Sequence, residues 1–409
     1  MNCRNCGAAL QHICLDLGSA PLSNAYVTAE RLAGPENWYP LAVYVCHCCW
    51  LVQANTVTAP NVIFDDQYAY FSSFSSGWVQ HAGDFQRKIT QDLALGASSF
   101  VLEIASNDGY LLKFFQEAGI RCLGVEPTAS TAQVAMARGI DTLCDFFNPE
   151  LADHIVASHG AADLIVGNNV LAHVPAPLSF LRGVRSALAQ SGTATFEFPH
   201  VMSLIERSQF DTIYHEHFSY LSAHSVSDMA RKSDLEIYKV EKLTTHGGSL
   251  RTYLKCAGSG AQKVDGSVSE VLREELRAGV NSQRYYGNLQ REAEAMKFSF
   301  LRFLLEAESR GQRVVGYGAA AKGTTLLNFS GVRPDLLSYV VDRNPSKQGK
   351  FLPGCRIQIV DEVHLRRDEP DLVVIFPWNI KREVMEQLSY VREWGGLFVT
   401  LSPELEYWP

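Results

Sequence analysis

The segment "FDTIYHEHFSYL", Phe210 to Leu221, sets His215, Glu216 and His217 between Tyr214 and Tyr220. Such a stretch can ligate a metal, move protons or form a hydrated loop. Zinc hydrolases use H-E-x-x-H, which puts two imidazoles on one helical face, whereas the spacing here is H-x-H. In an extended segment His215 and His217 share a face with Glu216 opposite, and local spacing offers no third ligand. The flanking Tyr214, Phe218 and Tyr220 suit a pocket wall better than a water-facing loop. A stronger metal signal lies at the N-terminus, where Cys3-x-x-Cys6 and Cys46-x-x-Cys49 form two knuckles. Each knuckle can give two thiolates to one tetrahedral ion, so together they predict a structural zinc closing a small domain with little core of its own. His47 and Cys48 in "CHCC" are rival ligands, and knuckle spacing favours Cys46 and Cys49. A redox or merely buried set of thiols is the alternative.

Two glycine-containing turns carry a second kind of chemistry. Glu103 to Gly109, "EIASNDG", is not G-x-G-x-x-G, which argues against a pyrophosphate clamp. An acidic residue ahead of an Asn-Asp-Gly turn suits a ligand with an amine and hydroxyls. Glu126, ending the next apolar run, is placed to accept from both ribose hydroxyls, and Asp145, after the third, from an adenine amino group. With Ala105, Asn107, Asp108, Gly109 and Asn168, these positions describe a class I S-adenosylmethionine (SAM) site. A plain packing turn with a solvated Glu126 is the alternative. Further on, "VVGYGAAAKGTT" holds Gly316-x-Gly318, with Asp342 following 24 residues later in "YVVD". Such a turn offers backbone N–H groups to a phosphate at a helix N-terminus, and Lys322 adds charge. Alanine at the third glycine position is accepted by NAD sites, so an NAD-using activity stays open here.

The elements that must position these groups follow from periodicity. From about residue 98 strands and helices alternate: "SFVLEIAS", "NDGYLLKFFQEAG", "RCLGVEP", "TASTAQVAMARG", "IDTLCDFF", "ADLIVGNNVLAHVP" and "GTATFEFPH". This pattern builds a parallel sheet between helices, with ligands beyond the carboxyl ends of its strands. "VEKLTTHGGSLRTYL" reads as two short strands around a Gly-Gly turn. Residues 262–310 are helical in spacing and would couple the first sheet to a second alternation, from "RVVGYGAAAKG" to "GLFVTL". At 409 residues two or three domains are expected. A net charge of −8 argues against a general nucleic-acid or membrane-surface binder. No long apolar run and no signal-peptide pattern appear, so a cytoplasmic protein is expected, and its ten cysteines are read as ligands or buried thiols.

Taken together, the paired knuckles, "LGSAPLSNAY", "QYAYFSS", "VLEIASNDG", "NVLAHVP", "FDTIYHEHFSYLS", "HGGSLR" and "GYGAAAKGTT" resemble one family. It is the SAM-dependent C-methyltransferases of nucleotide-linked keto-deoxysugars. The resemblance implies an α/β chain of three parts: a zinc-binding domain (1–72), a SAM-binding Rossmann-like domain (73–240), and a Rossmann-like domain holding the nucleotide sugar (241–409). Ala105 is a departure, since many relatives have glycine there. Carbon methylation needs removal of the proton beside a ketone, and histidine titrates near working pH. The family motif assigns His217 as the base, Glu216 as its orienting or assisting partner, and Tyr214 as a donor to the keto or enolate oxygen. It places Tyr68 and His173 in the same site. His215 falls on a variable position, behind the site or facing solvent, and is expected to tolerate substitution. The C-terminal surface would bind a nucleotide diphosphate, of dTDP type, through Tyr317, Lys322, Asn328, Asp342, Trp378 and Asn379; His246 and Arg251 would contact sugar or diphosphate, or serve structural roles in their turn. Three domains able to bury their own surfaces favour a monomer. An NAD-dependent sugar oxidoreductase and a non-catalytic zinc-stabilised binding module are the rival readings.

Overall fold

Three β-sheets carry the chain, in a computed structural model that describes residues 1–55, 57–63 and 71–409. The first strands, β1 (His12–Ala20), β2 (Tyr39–Val45) and β3 (Val52–Ala54), form an antiparallel meander. The central sheet opens with β4 (Phe100–Ile104), β5 (Arg121–Val125), β6 (Thr142–Leu143), β7 (Ala162–Asn168) and β8 (Leu188–Pro199), all parallel. A two-residue strand, β9 (Ser219–Tyr220), then returns to pair with β3. The hairpin β10 (Leu235–Leu243) and β11 (Ser249–Cys256) joins the central sheet through β8. The last sheet comprises β12 (Val314–Tyr317), β13 (Tyr339–Val341), β14 (Gln358–Val360), β15 (Leu372–Ile375), β16 (Leu397–Thr400) and β17 (Glu406–Trp408).

The central order is β10-β11-β8-β7-β4-β5-β6. β4 is buried along its whole length, as an apolar strand covered by helices on both faces must be. The strand order reverses direction between β4 and β7, which opens a crevice at their carboxyl ends. The third expected strand shrinks to Thr142–Leu143. The β10–β11 hairpin spans residue 240, and its second strand adds to β8. The helix Gly266–Ala278 follows that hairpin, and the helix Leu289–Ser309 leads to the last sheet. One apolar core joins the N-terminal and C-terminal sheets: Leu15, Leu41 and Val43 pack in it with Phe300, Leu304, Leu326 and Val340. Phe210 and Ile213 from the histidine stretch enter the same core. Among the described residues, no helix is long and apolar enough to cross a membrane.

Candidate active site

The carboxyl ends of β4, β5 and β7 and the turn after β12 face one cavity of about 1220 Å³. Single-ligand sites usually span about 300–1,000 Å³, so this one has room for two ligands together. Ala105, Asn107, Glu126 and Asn168 line one end. His173, Tyr214, Glu216 and His217 form the middle, with His246 beside Asn169, and Tyr317, Lys322, Asp342 and Asn379 the other end. Tyr68 lies outside the described residues.

At the first end, the turn after β4 holds Ala105, Asn107 and Gly109 at φ of 56°, 51° and 77°. The left-handed backbone makes a tight turn, and the alanine tolerates at a modest cost what glycine adopts freely. Glu126 Oε2 accepts from the Asn107 N–H at 2.9 Å, and Oε1 accepts from the Thr128 N–H and the Thr131 hydroxyl, each at 3.0 Å. Those donors fix the carboxylate at the rim while burial raises its pKa. Glu103 is fully buried behind the wall, and burial and then Glu126 push its carboxyl well up, with the Tyr110 hydroxyl opposing. Asp108 also sits behind the wall, bonded to the Ser73 hydroxyl and paired with Arg138 at 3.2 Å, so it anchors the segment entering the helix Ser76–Asp92. Asp145 is off the wall: it is exposed and accepts the N–H of Phe146, which, with Phe147 and Asn148, takes the expected place.

The histidine stretch is a turn and not an extended strand, closed by the His217 N–H donating to the Tyr214 carbonyl at 3.0 Å. His217 Nδ1 lies 2.8 Å from the Thr212 carbonyl. A carbonyl only accepts, so Nδ1 carries the proton and Nε2 keeps the lone pair. Burial, then His173, hold this imidazole well below its ordinary pKa, so it is neutral at pH 7. The rings of Tyr214 and His173 stand 4.1 and 4.7 Å from it, centroid to centroid. Glu216 turns to other partners, accepting on Oε1 from Asn24 at 2.6 Å and Ser23 at 3.2 Å. Only 4% of His215 is exposed, which puts it behind the site and not facing solvent. Its ring packs edge-on to Tyr39 and its Nε2 reaches the Pro40 carbonyl at 3.3 Å, which makes it part of the turn's support.

At the far end, Lys322 Nζ donates to Asn379 Oδ1 at 2.6 Å and sits 4.1 Å above the Trp378 ring. Burial lowers this lysine to about 8, against the pull of Asp211. Trp378 is off the cavity wall; its indole donates to Asp211 Oδ2 at 2.7 Å and shelves the lysine. Asn328 is likewise structural, its amide donating to the Thr324 and Pro353 carbonyls. Arg251 is buried behind the wall, bonded to Glu197 and lying 4.2 Å over the Phe85 ring. Asp342 reaches the cavity, but its oxygens accept the Ala319 and Asn344 N–H groups at 2.8 Å each. Gly318 has φ 88°, and a Cβ there would meet Pro377 Cδ at 2.5 Å. Gly318→Ala is therefore expected to cost about 1–3 kcal/mol in urea unfolding, combining positive φ with overpacking.

The four knuckle sulfurs lie within 4.8 Å of one another, with Cys3–Cys49 at 3.4 Å and Cys6–Cys46 at 3.5 Å. Zinc–thiolate bonds of about 2.3 Å give tetrahedral edges of about 3.8 Å, so the set fits the ion. Gln53 Nε2 donates to Cys3 Sγ at 3.2 Å, as thiolates require. His47 and Cys48 are exposed and stand outside the group.

Comparison with known proteins agrees with this geometry. Residues 3–64, 79–240 and 244–403 match family models described as "Putative zinc binding domain", "Methyltransferase domain" and "C-methyltransferase C-terminal domain". The chain is 33% identical over 402 residues to C-methyltransferase NovU of Streptomyces niveus, covering 98% of this chain and 95% of that protein. This chain belongs to the C-methyltransferase family. Solved structures similar to the C-methyltransferase include a SAM-dependent methyltransferase of Clostridium acetobutylicum (TM-score 0.36, 12% identity, 44% of this chain and 92% of that one). Another is the SAM-bound magnesium protoporphyrin IX methyltransferase of Synechocystis (TM-score 0.35, 13% identity, 49% and 98%). The C-methyltransferase uses SAM, and its four cysteines hold a structural zinc.

Several cavity residues of the C-methyltransferase carried no sequence signal. His81 Nε2 lies 2.8 Å from the acceptor Glu197 Oε2, and its ring stacks on Trp78, which meets His246 edge-on at 5.1 Å. His246 itself sits at φ 53° and bonds Asn169 at 2.9 Å. His81 and Trp78 are three residues apart on one helix, a spacing that any amphipathic helix shows.

Proposed function

We propose that this C-methyltransferase acts on a nucleotide-linked 4-keto-deoxysugar, of dTDP type, methylating the carbon beside the ketone. The observation that carries the reading is the His217 imidazole, with Nδ1 engaged by Thr212 and an Nε2 lone pair in a cavity large enough for two ligands. Ala105, Asn107, Glu126 and Asn168 are the residues that would hold SAM at one end. Bound there, SAM supplies an electrophilic methyl group on a sulfonium sulfur. His217 Nε2 takes the proton from the α-carbon, and the C–H electron pair passes into the enolate. In this reading Tyr214 donates to the oxygen where that charge collects, and His173 lines the site of the nucleophilic carbon. The imidazolium then returns its proton to water. Tyr317, Lys322, Asp342 and Asn379 support the reading of the far end as the nucleotide diphosphate site, with Lys322 as its cation.

A panel of nucleoside-diphosphate 4-keto-6-deoxysugars, incubated with labelled SAM, tests this. At least one dTDP-linked member is expected to gain a methyl group on carbon, located by NMR. Calorimetry should show SAM and S-adenosylhomocysteine binding and NAD not binding. No methylated panel member, or binding of NAD alone, would sink the reading.

A further inference from the structure

The stretch "LGSAPLSNAY" has no part in the reaction described so far, yet it lies at the seam between the catalytic turn and the C-terminal sheet. Asn24, on the cavity wall, donates from Nδ2 to Glu216 Oε1 at 2.6 Å, and the buried Ser23 hydroxyl donates to the same oxygen at 3.2 Å. Two residues on, the Tyr26 hydroxyl lies 3.0 Å from Asn24 Oδ1 and 2.7 Å from the Ala319 carbonyl, sharing one proton between two acceptors. Ala319 belongs to the glycine turn after β12, and its carbonyl also receives Lys347 Nζ at 2.9 Å. Val27 and Phe351 exchange backbone hydrogen bonds at 2.9 and 2.8 Å. The Thr324 hydroxyl donates to the Ser23 carbonyl at 3.2 Å. The strap is thus anchored on the C-terminal sheet and presents two donors to one oxygen of the Glu216 carboxylate.

We propose that Asn24 is a positioning residue for methyl transfer, which orients Glu216 within the catalytic turn from a strap anchored through Tyr26 to the glycine-rich turn. The inference rests on the reading of Glu216 as part of the proton-transfer machinery. A glutamate has three side-chain torsions, and two donors converging on Oε1 select among them, which fixes the direction of the second oxygen. Two neighbouring residues of the strap, Ser23 and Asn24, meet at that one atom.

The test uses the full-length, zinc-loaded enzyme and, as probe, the panel sugar that is methylated fastest. Asn24→Ala is expected to lower kcat by about tenfold to a hundredfold, with KM for the sugar and S-adenosylhomocysteine affinity within about twofold. Asn24→Asp keeps the volume and replaces the donor by a carboxylate facing Glu216, so it is expected to be slower still. A packing role would survive the aspartate. Wild-type kcat in Asn24→Asp, or a change in KM alone, overturns the proposal. Tyr26→Phe, which leaves Asn24 in place, should show a smaller loss of kcat in the same direction, and an unchanged kcat removes the anchoring part. Glu216→Gln runs alongside. If it matches wild type, the reading of Glu216 fails and the proposal with it. If Glu216→Gln is slow while both Asn24 variants are not, only the strap proposal falls. A panel with no methylated sugar removes both together.

Discussion

Replacing His217 by asparagine is expected to abolish exchange of the sugar's α-proton with deuterated water and to lower kcat by about 10²–10⁴. S-adenosylhomocysteine affinity should stay within about twofold, because His217 lies beyond the strand ends that frame the SAM pocket. Asparagine can still donate to the Thr212 carbonyl, so the turn is kept and only the basic nitrogen is lost. Exchange that persists would make another group the base. The pH profile extends the prediction. Burial, His173, His246 and Lys322 all push His217 down, and the Thr212 carbonyl alone works the other way. The base form is therefore already complete at pH 6.5, and the acid limb of kcat/KM lies well below that value. Low basicity makes carbon deprotonation harder, which places more of the burden on the donor to the enolate oxygen. Lys322 sets the other limb. Its cation is present below about 8 and is lost as pH rises through that value, so kcat/KM should fall above it. Lys322→Met should lower kcat/KM throughout and flatten that alkaline limb; a limb that survives the substitution belongs elsewhere.

Much of this architecture was readable because periodicity and strand-end chemistry are local. The run "VLEIASNDG" reads as strand then turn, and Glu126 follows at the end of the next strand. The positions that moved were those whose surroundings come from far along the chain. Asp145 loses its expected place because the third strand is two residues long, so the cavity wall passes to Phe146 and Asn148. Arg251, Asn328 and Trp378 have the polar groups of ligand contacts, but each is claimed by a partner distant in sequence: Glu197, Pro353 and Asp211. His215 looked expendable by its place in the motif. It is buried by Tyr39 and Pro40, which no spacing rule connects to it. Asn24 and His81 show the reverse case, cavity residues whose local sequence carries no chemistry of its own.

Removing the zinc, by chelation or by Cys46→Ser, is expected to abolish methyl transfer and leave S-adenosylhomocysteine bound with little change. None of the four cysteines lines the cavity, so the effect of the zinc must travel through the intervening chain. Arg4 sits between Cys3 and Cys6 and donates to the Phe218 and Ala54 carbonyls at 2.8 Å each, with its N–H on Gln53 Oε1 at 3.0 Å. Phe218 directly follows His217, and Val52 and Gln53, just past the second knuckle, pair with Tyr220 and Ser219. The knuckles therefore mould the exit of the catalytic turn, as Pro40, Ser23 and Asn24 hold its corner. Structural zinc contributes about 10–16 kcal/mol to small cysteine sites, far more than these few hydrogen bonds hold alone. The apolar faces of β1 to β3 stay packed against the C-terminal core, so loss should be local: a lower melting point, loosened loops and a lost base position. Arg4→Met keeps the zinc and removes only the clamp, and should cost about tenfold or more in kcat at unchanged metal content. A zinc-free enzyme that still turns over at the wild-type rate would show that the knuckles hold their own fold and nothing of the catalytic turn.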